Sequence, residues 1–289
     1  MKKHHLKSLI FKFLNTLPSS VGYFCYHQLQ RMVERNLSQT VAVNQKSLDK
    51  ATQMLERVGE RFEGKCVLEI GSGWMPLMPY LMLAKAQAKS VYTYDLNAHY
   101  SKRSIRKLNR YALSNNWALP KEVLHSSDYL DTMRYYPKTN IISANLPPDV
   151  DIVFSRFVLE HITPNDLLAM HEKFANSMPK GTLILHLISP SDHRAFSDSS
   201  LSHYDFLRYS KQEWAAIQTK FDYHNRLRLP HYLDIFQQAG LELLHVEYDT
   251  AQPGTPKWEK YQAVPIHPDY QSLTDDERTA GSINVLLRC

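Results

Sequence analysis

VLEIGSGWMP, residues 67–76, decides the fold of this chain. Val67, Leu68 and Ile70 form a short apolar run of the kind that fills a buried strand, and Gly71 and Gly73 then give the backbone freedom for a tight turn. Pro76 suits the first position of a helix, where its missing N–H costs nothing. A strand that breaks on glycines and restarts as a helix leaves bare amides at the helix start, a place that favours a carboxylate or a phosphate. The stretch reads as a cradle for a small molecule.

Upstream, residues 1 to about 60 read as helices, broken near Pro18 and again over 36–44. Ser47 reads as the N-cap of the next helix, whose apolar stripe is Leu48, Ala51, Leu55 and Val58. These helices are expected to cap or flank a core that starts near Gly64. Downstream, strand-like and helix-like segments alternate, which is the pattern of a parallel sheet covered on both faces. Strands are expected at 66–70, 90–94, 121–125, 151–155 and 182–188, with helices over about 76–88 and 100–113. The fourth strand flows into Leu159, Glu160 and His161. The fold class is therefore α/β, a doubly wound, Rossmann-like sheet.

After the fifth strand the rhythm breaks. Residues 189–228 are rich in aromatic and histidine side chains, among them His193, His203, Tyr204 and Trp214. An insertion there leaves the carboxyl edge of the sheet, where ligands bind in open α/β folds, and reads as a lid over the substrate. A helix over 229–240, a strand over 241–248 and a last strand over 282–287 complete the chain. The long connection before the last strand predicts that it lies antiparallel at the sheet edge. Two units are expected: a helical extension over 1–60 and a ligand-binding domain over 61–289 that contains the lid.

Composition narrows the partners. The chain has 289 residues, 43% of them hydrophobic, enough for a sizeable core, and its net charge of +5 requires no acidic partner. Lys102, Arg103, Arg106, Lys107 and Arg110 read as the solvated face of a helix, so nucleic-acid binding is not expected. Cys25, Cys66 and Cys289 are too few and too scattered for a disulfide framework or a CxxC site, which fits a reducing cytoplasm. With no HExxH motif, no Cys/His cluster and no acid partnering His4 and His5, no catalytic metal is expected. Lys12 interrupts the apolar N-terminal run, which argues against a signal peptide, and no window reaches the ~18–20 apolar residues of a spanning helix. Leu6, Leu9, Ile10, Phe13 and Leu14 do share a helical face near Lys2, Lys3, Lys7 and Lys12. That face is expected to pack on the domain, with peripheral membrane contact as the other reading.

The chemistry lies in a constellation. Asp95, at the end of the second strand, stands where an acid accepts hydrogen bonds from ribose hydroxyls, and Asp128 is spaced to reach the edge of an adenine. VLEIGSG, VYTYDLN and DIVFSRFVLEHI together resemble the class I S-adenosylmethionine-dependent methyltransferases, over about Gly64 to the C-terminus. Met75 departs from that pattern, standing where a third glycine is common. The resemblance implies a seven-stranded sheet with an antiparallel last strand and S-adenosylmethionine as cofactor. It further implies that Glu69, Gly71, Ser72 and Gly73 form the cofactor turn, that Asp95 and Leu96 hold ribose and adenine, that Ser127 and Asp128 meet the adenine edge, and that Ser155 and Arg156 line the methionine end. A looser likeness, over YSKQEW and YHNRLRLPHY, is to bacterial methyltransferases of glycoconjugate synthesis, and makes Tyr204, Asn225, Arg226 and Arg228 candidate substrate contacts.

The expected reaction is methyl transfer to an oxygen of a small molecule or glycan precursor. Holding the acceptor in line behind the methyl contributes ~7–11 kcal/mol, whereas a general base adds ~3–5 kcal/mol, so positioning outweighs the base. His161 is the expected base, and His193 and His203 are its rivals at the substrate. A non-catalytic nucleoside-binding subunit and a dinucleotide-dependent oxidoreductase are the alternatives; GSGWMP lacks the last glycine of GxGxxG, which argues against the latter.

Overall fold

The computed structural model describes residues 3–32 and 36–289. Its strands are β1 (Cys66–Ile70), β2 (Ser90–Asp95), β3 (Met133–Pro137), β4 (Ile152–Arg156), β5 (Leu183–Ile188), β6 (Glu242–Asp249) and β7 (Gly281–Arg288). They form one sheet in the order β3-β2-β1-β4-β5-β7-β6, in which β7 alone runs antiparallel to its neighbours. The helices are α1 (Lys3–Thr16), α2 (Ser19–Met32), α3 (Leu37–Glu56), α4 (Leu77–Lys85), α5 (Lys102–Ser114), α6 (Lys121–Leu124), α7 (Pro164–Ser177), α8 (Lys211–Ile217), α9 (Leu229–Gln238), α10 (Pro256–Gln262) and α11 (Asp275–Thr279).

Alternation along the strands builds the two main cores. Val67, Val91, Phe154 and Leu185 join α3, α4 and α5 on one face, while Leu68, Tyr92, Val153 and Ile184 join α7 and α9 on the other. A third, smaller core combines Tyr204, Phe206 and Trp214 of the inserted segment with Tyr261, Val264 and Tyr270 of the last connection.

Three expectations are corrected. Residues 121–125 are not a strand: α6 occupies them, and the third strand lies eight residues beyond, at Met133–Pro137. The buried side chain of Asn109 explains the difference, because its Nδ2 donates to the carbonyls of Val123 and Asp128, both at 3.0 Å, and ties the segment into a turn. The last strand is antiparallel but interior. Ile283, Val285, Leu286 and Leu287 are all buried, whereas β6 carries Glu242, His245, Glu247 and Asp249, side chains suited to an edge. Finally, Asn36 and not Ser47 caps the third helix, accepting from the Gln39 amide at 3.2 Å, so Ser47 lies in mid-helix.

The pair α1 and α2 packs closely. A Cβ on Gly22 would lie 2.7 Å from the Leu14 carbonyl oxygen, so the approach requires glycine. Phe221, from the insertion, docks on this pair by stacking against Tyr26 at 5.1 Å and meeting the edge of Tyr23 at 5.1 Å. Phe11 and Leu14 are buried, while Leu9, Ile10 and Phe13 remain exposed. Lys2 and the side chains of Lys3, His4, His5, Leu6 and Lys7 lie outside the described residues. Among the described residues no helix is long and apolar enough to cross a membrane.

Between the central strands and α7 runs a buried polar chain whose direction is fixed from one end. The Leu167 carbonyl can only accept, so His171 Nδ1 donates to it at 2.6 Å, and His171 Nε2 must accept from His186 Nε2 at 3.0 Å. His186 Nδ1 then accepts from the Ser155 hydroxyl at 2.7 Å. Both imidazoles are neutral in this arrangement; burial pushes His171 down to about 4, and burial and then His171 push His186 well below its usual range. A lowered folded-state value means that the unfolded chain protonates first. The stabilisation is complete above the unfolded histidine value of ~6.5 and is lost as pH falls below it, at up to ~1.4 kcal/mol per pH unit for each histidine. A double variant, His171→Gln with His186→Gln, should lose less stability than the wild type between pH 7 and pH 5, as measured by urea denaturation at each pH.

Candidate active site

The carboxyl ends of β1, β2 and β4 open onto a cavity of about 580 Å³. Gly71 and Gly73 adopt φ of +84° and +63°, a region open to glycine at no steric cost. Gly71 is further constrained, since an added Cβ would lie 2.5 Å from Val158 Cγ2. The turn is clamped by Asp95, whose Oδ2 accepts from the Ser72 amide at 3.0 Å and the Ser72 hydroxyl at 3.2 Å, while Oδ1 accepts from the Asn97 amide at 2.7 Å. Leu96, 66% exposed, stands on the rim. Trp74 enters the cavity wall and packs on His99 at 4.4 Å, whereas Met75 packs against the core. Pro76 caps α4, which begins one residue later than expected.

Behind the turn, Glu69 is buried and accepts from the Thr93 hydroxyl at 2.5 Å; desolvation pushes its carboxyl up to about 8. Ser155 does not line the cavity. Its hydroxyl is held by His186, so its expected place at the methionine end is corrected. Arg156 does line the cavity, with its guanidinium 4.1 Å from the Phe157 ring centroid and Nε donating to Ser47 Oγ at 2.8 Å. Ser127 and Asp128 follow α6 and lie away from the cavity, which corrects their expected place in it; Thr139 and Asn140, just after the true third strand, line it instead. Tyr23 and Tyr26 of α2, with Lys220, Phe221 and Tyr223 of the insertion, complete the lining. No sequence motif pointed to the first four, and Tyr223 opens the YHNRLRLPHY stretch without being singled out in it.

A second cavity, of about 340 Å³, lies within the insertion and is lined by Asp192, His193, Arg194, Trp214 and His224 among others. Arg194 is locked there by Asp192 at 2.6 Å and Asp205 at 3.0 Å. His161 lines the first cavity and His193 the second, with ring centroids 5.0 Å apart. His161 donates from Nδ1 to the Tyr223 carbonyl at 2.8 Å, and burial lowers its pKa. Glu160 is fully buried beside it, its carboxyl pushed up to about 8 by desolvation. Glu160, His161 and His193 each place one potential ligand atom within 4.8 Å of the others.

Most of the expected substrate contacts are corrected. The Tyr204 hydroxyl donates to the Thr279 carbonyl at 2.8 Å, and Asn225 Nδ2 donates to the carbonyls of Leu159 at 2.7 Å and Ile162 at 2.9 Å. Arg226 Nη1 donates to the carbonyls of Phe206 at 3.2 Å and Tyr209 at 2.7 Å. Arg228 is fully buried, with Nη1 on the Pro190 carbonyl at 2.6 Å and Nη2 on that of Ala280. These donors are spent on main-chain oxygens inside the protein. His203 lines neither cavity and packs on Phe196 at 5.4 Å.

A family model described as "Methyltransferase domain" matches residues 43–246. No curated protein matches the chain. Among solved structures, a proposed sarcosine dimethylglycine methyltransferase from Galdieria sulphuraria is 12% identical, with a TM-score of 0.50 over 84% of this chain and 85% of that one. Magnesium protoporphyrin IX methyltransferase from Synechocystis PCC 6803, with bound SAH, is 13% identical with a TM-score of 0.49, covering 98% of this chain and 99% of that one. An S-adenosylmethionine dependent methyltransferase from Mesorhizobium loti is 13% identical with a TM-score of 0.47, covering 82% and 96%. At such identities the first of these likenesses shows a shared fold.

The close approach at Gly71 gives a direct test. Gly71→Ala should cost about 2 kcal/mol or more in urea denaturation, from the left-handed backbone and the clash together. Combined with Val158→Ala, it should cost less than the sum of the two single changes by ~0.5–3 kcal/mol, because the clash disappears while the backbone strain stays.

Proposed function

The chain belongs to the methyltransferase-domain family and is an S-adenosylmethionine-dependent methyltransferase; from that premise we propose that it methylates an oxygen of a small molecule or glycan precursor. The cofactor supplies an electrophilic sulfonium methyl. The first cavity fits it, since Gly71 leaves no room for a side chain and the Asp95 carboxylate is aligned beside the same turn by two amides. Gly71, Ser72 and Gly73 cradle the cofactor, with Glu69 buttressing the turn. Asp95 and Leu96 take the ribose and adenine, Thr139 and Asn140 the adenine edge, and Arg156 the methionine end. Residues 1–60 extend the domain of residues 61–289 and roof the cavity through Tyr23 and Tyr26, and residues 189–228 wall the acceptor side.

The observation that carries the choice of oxygen is the orientation of His161. Its Nδ1–H is committed to the Tyr223 carbonyl, so in the neutral ring Nε2 keeps a lone pair. A hydroxyl must give up its proton to become a strong nucleophile, and His161 can take it; an unprotonated amine is nucleophilic without that help. The aromatic roof of Tyr23, Tyr26 and Phe221 excludes water. The second cavity, reached past His161 and His193, holds the acceptor.

Two measurements test this reading. Asp95→Ala should weaken S-adenosylhomocysteine binding by about ten- to a hundredfold in calorimetry while circular dichroism stays unchanged; unchanged affinity sinks the ribose assignment. Incubating cell extract with a labelled methyl donor should yield a labelled O-methyl product of a small molecule or glycan precursor, and label found on nitrogen alone overturns the choice of oxygen.

Three free cysteines fit action in a reducing cytoplasm. A peripheral membrane contact is favoured by the exposure of Leu9, Ile10 and Phe13 on α1 and Phe24 on α2, with exposed Lys12 beside them. Sedimentation with vesicles of phosphatidylcholine and phosphatidylglycerol should bring the protein down. Phe13→Glu should release it, and equal sedimentation of the variant counts against this contact.

A further inference from the structure

We propose that Glu160, His161 and His193 bind one divalent transition-metal ion, Zn²⁺ by preference, at the junction of the two cavities, and that its open position takes the acceptor's oxygen. The role of the ion rests on the methyl-transfer reading; its binding does not.

Four observations converge on this point. One potential ligand atom from each of the three residues lies within 4.8 Å of the other two, close enough for small side-chain adjustments to reach the ~2.0–2.2 Å of zinc–nitrogen and zinc–oxygen bonds. His161 donates its Nδ1–H to the Tyr223 carbonyl, the outer contact that orients a metal-bound imidazole and leaves Nε2 to coordinate. Glu160 is fully buried, and while Oε1 accepts from the Ser189 amide at 3.3 Å, Oε2 has no hydrogen-bond partner. A buried carboxyl oxygen without a hydrogen-bond partner is costly, and a cation that displaces the carboxyl proton is the partner that its chemistry calls for.

The fourth observation is His224. Its Nδ1 accepts from the Arg226 amide at 3.1 Å, so the proton of the neutral ring sits on Nε2, which is buried without an acceptor. The ring lies 5.0 Å from that of His193 and 6.1 Å from that of His161. An oxygen held on the metal supplies the acceptor that this N–H lacks.

Two imidazoles and a carboxylate suit zinc and its neighbours better than magnesium, which prefers oxygen alone. Zinc brings no redox chemistry, and methyl transfer from a sulfonium needs none. Three protein ligands leave one position open, as in catalytic zinc sites. A bound hydroxyl would be acidified as zinc-bound water is, and its proton would pass to bulk solvent. The Nε2 lone pair of His161, which would otherwise take that proton, is then given to the cation. The favoured acceptor is a sugar or phenol hydroxyl.

The test uses the full chain, freed of metal by chelation, and Zn²⁺ titrated against a chromophoric chelator, with Co²⁺ added separately for its visible spectrum. One equivalent of Zn²⁺ should bind, and the Co²⁺ spectrum should show the intense bands of a four-coordinate site. His161→Ala and His193→Ala should each weaken binding by about a hundredfold or more, as should Glu160→Gln, which keeps the volume of the buried side chain. Circular dichroism and S-adenosylhomocysteine affinity, measured on the same samples, report folding and the cofactor site independently of the metal. No stoichiometric binding of either ion, or full affinity in the His161→Ala, His193→Ala double variant, overturns the inference. Loss of S-adenosylhomocysteine binding with metal binding intact counts instead against the methyl-transfer assignment.

Discussion

The close contact between Gly71 and Val158 is the constraint on which the site depends. Because a Cβ on Gly71 would lie 2.5 Å from Val158 Cγ2, the turn after β1 and the chain just past β4 are fixed relative to each other. Asp95, at the end of β2, then holds the Ser72 amide. Three adjacent strand ends are thus locked into one rim by a steric contact and a charged acceptor, and the cavity is the space they leave.

Away from the rim, the protein is organised by buried polar groups that face main-chain oxygens. Arg226 ties the inserted segment to itself, Arg228 fastens its two ends together and to the loop before β7, and Asn225 holds the short helical turn that carries Glu160 and His161. Burying a charged guanidinium is costly, and removing its partners costs more, so these contacts make the insertion a fixed wall. The N-terminal helices do the same for the opposite side, where the rings of Tyr23 and Tyr26 meet Phe221. A cavity closed by two remote parts of the chain is one from which water can be excluded.

How much of this was legible beforehand differs from residue to residue. The turn at 71–73 and the acid at 95 were plain, because each is a local device: glycine for a left-handed backbone, and an acid at a strand end. The third strand was misread because KEVLH is too short for periodicity to tell a helix from a strand, and the deciding contact, from Asn109, comes from another helix. Placing that strand too early carried Ser127 and Asp128 into the site and left Thr139 and Asn140 out. The two arginines read as substrate contacts because a sequence shows their charge and not the carbonyls that surround it.

By itself, the sequence determined the alternation of strands and helices apart from the third strand, the glycine turn and the acid beside it, since backbone freedom and apolar alternation are properties of neighbouring residues. The tertiary structure alone decided that β7 enters the sheet between β5 and β6, that Ser155 turns inward to His186, and that Glu160 and His161 meet His193. Those outcomes depend on which apolar faces and buried polar side chains find partners across long stretches of chain, and neighbouring residues do not specify them.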